Sequence, residues 1–388
     1  MSWQGVFGAD EIAMQFARAN SRGRLGGSFL FVGPQGVGKR VFAFALARTL
    51  LCQRQFHRDG EPLFADGEAE TLSPAELLER FQPCGECDSC REFDLNVAAP
   101  KAVIPTHPDF HYVCKPEDRA QIPIELLIGS KEERMQSGLC HALNQTSFLG
   151  GRRVAIIDDA DYFNIEGANA LLKTLEEPPK NTIIILIGTS AAKQLPTIRS
   201  RCQLFRFQPL GDDAVADILL TQEKVGSPEE AEAIARVAGG SMTEAYRSLN
   251  SDFSQFQHSL LTELARDGLR AYELSVKICE YVDKESKEAS VRRPRLHNVL
   301  KAAAAYYRAL YCATGAEGIR TFGEPGAAAV APFVRRAVQA GRVTPDFALD
   351  CEERTLDAID QVDRNANLPY VVESWLYDLS ALERALPR

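Results

Sequence analysis

Short apolar runs at residues 28–32, 109–114, 153–157 and 183–187 have the length of strands, and each is bounded by turn or polar residues. The run at 183–187 is apolar at every position, as expected for a strand covered on both faces in the middle of a parallel sheet. Helical stretches alternate with these runs, at 41–47, within 125–144 and at 165–177. In the last of them Ala168, Leu171, Leu172 and Leu175 recur at the spacing of one helix face, and Pro178-Pro179 ends the helix. Strands alternating with helices predict an α/β region. Beyond 207–210 the pattern becomes wholly helical, with candidates at 214–220, 228–237, 301–312 and 371–382 and a break at Gly239-Gly240. The stretch 314–345 is rich in Gly, Ala and Pro and reads as a long loop holding a helix, and 53–82 reads as a surface excursion with a short helix near its end.

Composition narrows the function. The 388 residues suggest two or three domains, and 45% hydrophobic with 25% charged residues suffices for a normal interior in each. A formal charge of -9 argues against a surface that grips nucleic acid everywhere, although a local basic face is compatible with it. The N-terminus lacks a basic region followed by an apolar one, and no apolar run approaches a membrane span, so a cytoplasmic location without membrane contact is expected.

The first strand leads directly into Gly33-Pro34-Gln35-Gly36-Val37-Gly38-Lys39, the spacing of a phosphate-binding loop, and a helix follows. Glycines let backbone N–H groups turn inward around phosphate oxygens, while Lys39 adds a positive charge. The next position needs a hydroxyl to reach Mg²⁺ and instead holds Arg40, which offers only donors. The run at 153–157 ends in Asp158 and Asp159, where a magnesium ligand and a catalytic carboxylate would sit. Asp159 is shorter than the usual glutamate. Thr189, after the run at 183–187, occupies the position of a γ-phosphate sensor. ATP and Mg²⁺ binding at Gly33, Gly36, Gly38, Lys39, Arg40, Asp158, Asp159 and Thr189 is therefore doubtful.

Ten cysteines fall into two populations. Cys84, Cys87 and Cys90 form two overlapping C-x-x-C steps suited to a structural Zn²⁺, with Cys52 or His57 as the fourth ligand and Cys52 the better candidate. The others are scattered and read as buried thiols. His107 and His111 read as strand histidines outside any site, and Arg335-Arg336 as a solvated face.

The stretches Asn169-Ala170-Leu171-Leu172-Lys173-Thr174-Leu175-Glu176-Glu177-Pro178-Pro179 and Leu195-Pro196-Thr197-Ile198-Arg199-Ser200-Arg201-Cys202 together resemble bacterial clamp-loader subunits, the γ/τ and δ′ group of DNA polymerase III. The resemblance implies an AAA+ module with a five-stranded parallel sheet and an inserted zinc knuckle at about 52–90, here residues 1–208. A helical lid (209–254) and an all-α collar (255–388) would follow. It also implies assembly with γ/τ and δ subunits into a machine that loads the sliding clamp on primed DNA within the DNA polymerase III holoenzyme. In that family the Ser-Arg-Cys arginine enters a neighbour's ATP site, and the matching residue is Arg201. Arg40, Asp159 and Thr243, the last where γ subunits carry a second sensor arginine, all depart from an active site and favour δ′ over γ/τ. The resemblance to δ is poor, because δ lacks the Ser-Arg-Cys arginine.

The leading expectation is a stator that does not hydrolyse ATP alone and supplies Arg201 in trans. The alternatives are a γ/τ-like ATPase working through Lys39, Asp158 and Thr189, and a zinc-containing adaptor outside the loader. Hydrolysis by the isolated chain or failure to co-purify with loader subunits would favour one or the other.

Overall fold

The computed structural model describes residues 2–23, 25–55, 72–93, 105, 107–116, 119, 121–134, 136–149, 151–249, 251–314, 327–339 and 343–386. The chain divides into two compact units, 1–214 and 215–388. No helix among the described residues is long and apolar enough to cross a membrane.

The first unit opens with a hairpin of β1 (Ser2–Trp3) and β2 (Val6–Phe7). Its Trp3 is buried, stacks on Phe81 and donates its indole N–H to the Phe81 carbonyl at 2.8 Å. Five strands follow: β3 (Gly27–Val32), β4 (Phe110–Val113), β5 (Arg153–Ile157), β6 (Thr182–Gly188) and β7 (Gln203–Arg206). They form one sheet in the order β4-β5-β6-β3-β7, and every neighbouring pair is parallel. This is the five-stranded parallel P-loop architecture that the resemblance implied, with a cysteine knuckle inserted between β3 and β4.

Strand periodicity divides the core. Phe29, Phe31, Val154, Ile156, Ile183 and Ile185 face one side with the helices Asp10–Ser21 and Lys39–Leu51. Leu30, Val32, Ala155, Ile157, Ile184 and Leu186 face the other with the helices Gly138–Asn144 and Ile165–Glu176. Continuous apolar runs are the sequence signature of strands covered on both faces. Phe16, Phe29, Phe31, Phe42, Phe205 and Phe207 pack ring against ring on the first side. Burying each contributes roughly 1.5–3 kcal/mol.

Because all five strands run the same way, the sheet has two chemically distinct edges. Loops leaving β3, β5 and β6 place Gly33–Lys39, Asp158 and Thr189 at the carboxyl edge. Segments entering β6 and β7, which carry Glu176 and Arg201, lie at the amino edge.

The second unit is helical. Ser251–Leu264, Ala271–Asp283, Ala289–Thr314, Ala327–Gln339, Pro345–Asp363 and Leu368–Arg384 share one core. Trp375 is 1% exposed and donates its indole N–H to Thr355 Oγ1 at 3.0 Å, whereas Tyr377 on the same helix is 65% exposed. Thr243 lies in the helix Met242–Leu249, and Arg335 and Arg336 occupy an exposed helix face.

Candidate nucleotide site, arginine edge and cysteine knuckle

The phosphate-loop geometry depends on its glycines. Gly33 has φ 154°, and a Cβ there would lie 2.4 Å from the Phe207 carbonyl oxygen, so only glycine fits. Gly36 and Gly38 also take positive φ, and Gly38 caps the helix Lys39–Leu51. Lys39 is 7% exposed, and its Nζ donates to the carbonyls of Gly33 at 2.6 Å and Pro34 at 2.5 Å. Burial lowers its pKa, opposed by the charges of Asp158 and Asp161.

Arg40 turns onto the carboxylate that would hold a metal. Its Nε lies 2.6 Å from Asp158 Oδ2, and its Nη2 donates to the Tyr112 hydroxyl. Tyr112 donates in turn to Asp158 Oδ2 at 3.1 Å, and the Asp159 N–H donates to Asp158 Oδ1 at 2.9 Å. Both oxygens of Asp158 are thus engaged. Burial would lower the guanidinium pKa, but Asp158 and Tyr112 outweigh it and raise it. A fixed positive charge against Asp158 electrostatically opposes a divalent cation there.

Asp159 sits in the left-handed region at φ 57°, and its pKa is raised by burial and by the adjacent Asp158. Thr189 donates its N–H at 2.7 Å and its hydroxyl at 2.6 Å to Asp161 Oδ2, while Gln194 Nε2 donates to Asp161 Oδ1 at 2.5 Å. A Cβ on Gly188 would lie 2.7 Å from both Asp161 Oδ1 and Gln194 Nε2, which explains the glycine ending β6. Lys39, Asp158 and Thr189 each bond to protein groups. Tyr112, Asp161 and Gln194 were absent from the sequence reading. The one available signal for Tyr112 was a polar aromatic within the run at 109–114.

Arg201 follows the short helix Pro196–Arg199, whose Ile198 is buried, and precedes the buried Cys202. These two anchors fix the backbone while the side chain stays 29% exposed. Nε donates to Glu176 Oε2 at 2.9 Å, and Nη1 donates to the Thr197 carbonyl at 3.2 Å and to Ser200 Oγ at 3.4 Å. Arg199, two residues earlier, is exposed.

The sulfurs of Cys52, Cys84, Cys87 and Cys90 all lie within 4.8 Å of one another. Cys52–Cys87 and Cys84–Cys90 are each 3.9 Å apart. Four Zn–S bonds of about 2.3 Å in a tetrahedron imply sulfur separations of about 3.8 Å, so the donor set fits. Backbone N–H groups of Cys84 and Cys87 donate to Cys52 Sγ and Cys84 Sγ, both at 3.4 Å. At Cys84 burial is outweighed by hydrogen bonds from the Glu86 and Cys87 backbone, and the thiol falls to about 6. His57 lies outside the described residues.

His107, set aside in the sequence reading, anchors the knuckle to the sheet. Ser89 Oγ donates to the Leu51 carbonyl at 2.6 Å and lies 2.8 Å from His107 Nε2, while His107 Nδ1 accepts the Asp109 N–H at 3.1 Å. The ring is therefore neutral with its proton on Nε2, and burial lowers its pKa. Its position just before β4 was the only hint.

Fold and site together define a P-loop α/β module whose Asp158 carboxylate is paired with its own Arg40, joined to a helical C-terminal unit. The chain belongs to the family described as DNA polymerase III, delta subunit, which residues 8–211 match. It is 34% identical over 221 residues to DNA polymerase III subunit delta' of Pseudomonas aeruginosa, covering 57% of this chain and 55% of that protein. The corresponding Bacillus subtilis subunit is 29% identical over 232 residues, covering 60% and 56%. Subunit tau of Escherichia coli is 27% identical over 245 residues, covering 62% and 31%. The chain thus spans little more than half the length of the delta' relatives it matches. A solved Thermotoga maritima gamma subunit-related protein of DNA polymerase III aligns over 97% of this chain and 99% of that one, with 17% identity and a TM-score of 0.37.

Proposed function

We propose that the chain is a δ′-type subunit of a DNA polymerase III clamp loader, assembling with γ/τ and δ to place the sliding clamp on primed DNA. In this reading residues 209–254 form a lid and 255–388 a collar through which the subunits join. The observation that carries the reading is the Arg40–Asp158 pair. It sets a guanidinium where a metal would bridge the carboxylate and the phosphates, so the module acts as a stator. Arg201, at the opposite edge of the sheet, acts on the ATP of the adjacent γ/τ subunit. An arginine supplied in trans neutralises charge that develops during phosphoryl transfer and can raise turnover about 10³–10⁵-fold.

The test is reconstitution with γ/τ and δ and measurement of primed-DNA-stimulated ATP hydrolysis. Arg201→Ala is expected to abolish turnover at the neighbouring site while the assembly still elutes as one complex. Unchanged hydrolysis would overturn the trans role. Magnesium-dependent hydrolysis by the isolated chain, lost in Lys39→Ala, would instead mark a working ATPase.

The cysteine cluster supports a structural Zn²⁺ held by Cys52, Cys84, Cys87 and Cys90. Four thiolates close a tetrahedral site with no position for substrate, so the ion would organise the knuckle and take no part in hydrolysis.

A further inference from the structure

We propose that Glu176 is a positioning residue for Arg201, an inference that rests on the trans-arginine reading above. Glu176 is the last residue of the helix Ile165–Glu176, and Pro178-Pro179 stops the chain from continuing it. A carboxylate at a helix C-terminus faces the negative end of the helix dipole, where a cation is favoured. Its Oε2 lies 2.9 Å from Arg201 Nε, and this is the contact that reaches Arg201 from outside its own turn. The remaining contacts, to Thr197 and Ser200, are made by Nη1 within that turn. Among the described residues Nη2 makes no hydrogen bond, so two of the three guanidinium nitrogens are anchored and the third is left for an external oxygen.

The pair orients the side chain and adds little to folding. Glu176 is 58% exposed, and an ion pair this open contributes little to stability. Orientation matters far more for the arginine's work, because a displacement of about 1 Å at a reacting centre can cost about 10²-fold in rate. Glu176 fixes the direction of the fork, and Ile198 and Cys202, buried on either side, fix the backbone that carries it.

The experiment uses the reconstituted loader and separates kcat from KM for ATP in primed-DNA-stimulated hydrolysis. Glu176→Ala should remove about nine-tenths of the turnover that Arg201→Ala removes, with KM within about twofold. Glu176→Gln, which keeps an acceptor for Nε, should retain at least about half of that turnover. In an Arg201→Ala background Glu176→Ala should have no further effect, as expected of two residues acting as one unit. Melting of the isolated chain should shift by less than about 2 °C in either Glu176 variant. If Arg201→Ala lowers turnover and Glu176→Ala does not, Glu176 has no positioning role. A raised KM at parental kcat, additive losses in the double variant, or equal losses in the Ala and Gln variants would also overturn it. If Arg201→Ala itself is silent, the trans-arginine reading fails first.

Discussion

The two edges of the β4-β5-β6-β3-β7 sheet treat their charged groups in opposite ways. At the carboxyl edge Lys39 bonds to its own loop, Asp158 to Arg40, and Thr189 to Asp161. At the amino edge Arg201 is anchored through two nitrogens, and among the described residues its third makes no hydrogen bond. The six residues of β3 separate the edges by about 20 Å at the usual strand rise. An arginine at that distance cannot reach its own chain's phosphate loop. Among the described residues no side chain bonds to groups at both edges, so the proposed loss of hydrolysis at one edge is compatible with the proposed contribution to a neighbour at the other.

The largest expected effect sharpens this contrast through the knuckle. The helix Lys39–Leu51 starts at the carboxyl edge and runs back to Cys52, so the knuckle braces the amino side while the carboxyl edge rests on direct hydrogen bonds. Structural zinc in small peptides is worth about 10–16 kcal/mol apparent. The purified protein should carry one equivalent of zinc. Chelation should strip hydrogen-exchange protection from Asp88–Glu92 while leaving β5 and β6 protected. Reduced, folded protein without zinc would show that the sulfurs converge with no metal to hold.

Next in size, on the trans-arginine proposal, is the loss expected from Arg201→Ala, about 10³–10⁵-fold at the neighbour's ATP site. The matching experiment at the other edge is Arg40→Thr, which returns a hydroxyl to the metal position and frees Asp158. The parent should bind an ATP analogue with the same affinity in Mg²⁺ and in EDTA, or not at all. Arg40→Thr should bind at least about tenfold more tightly with Mg²⁺ than without, a difference of about 1.4 kcal/mol in fluorescence titrations. A variant indifferent to magnesium would mean that something besides Arg40 closes the carboxyl edge.

The sequence made visible whatever is local in the chain. Gly33 to Lys39 and the Cys84–Cys90 spacing are contiguous patterns whose physics follows from spacing alone, and the apolar runs declared a sheet covered on both faces. The partners that decide function come from distant segments. Arg40 could be recognised as a failed metal ligand, but its pairing with Asp158 and Tyr112 depends on β4 and β5 lying side by side. Glu176 was legible only as a helix end, since its contact with Arg201 depends on how the chain enters β6 and β7. Val371, Val372, Trp375, Leu376 and Leu379 repeat at helical spacing and are all buried, which leaves Tyr377 on the opposite face.

The smallest expected effect probes what the carboxyl edge still retains. Asp159 combines a left-handed φ of 57° with a pKa raised first by burial and then by Asp158. A carboxyl group whose folded pKa exceeds its unfolded value favours the native state while protonated, and that contribution is lost as pH rises through the folded pKa. At neutral pH the ionised group therefore costs stability. Asparagine tolerates the same backbone conformation without the charge, so Asp159→Asn should raise Tm at pH 7 by about 1–3 °C. The gap should close as pH falls from the raised folded pKa to the ordinary unfolded value near 4. A gap independent of pH would assign the gain to backbone or packing. A gap that closes on acidification would show that the carboxyl edge, although its other groups are satisfied, still carries a charged residue that folding alone would not select.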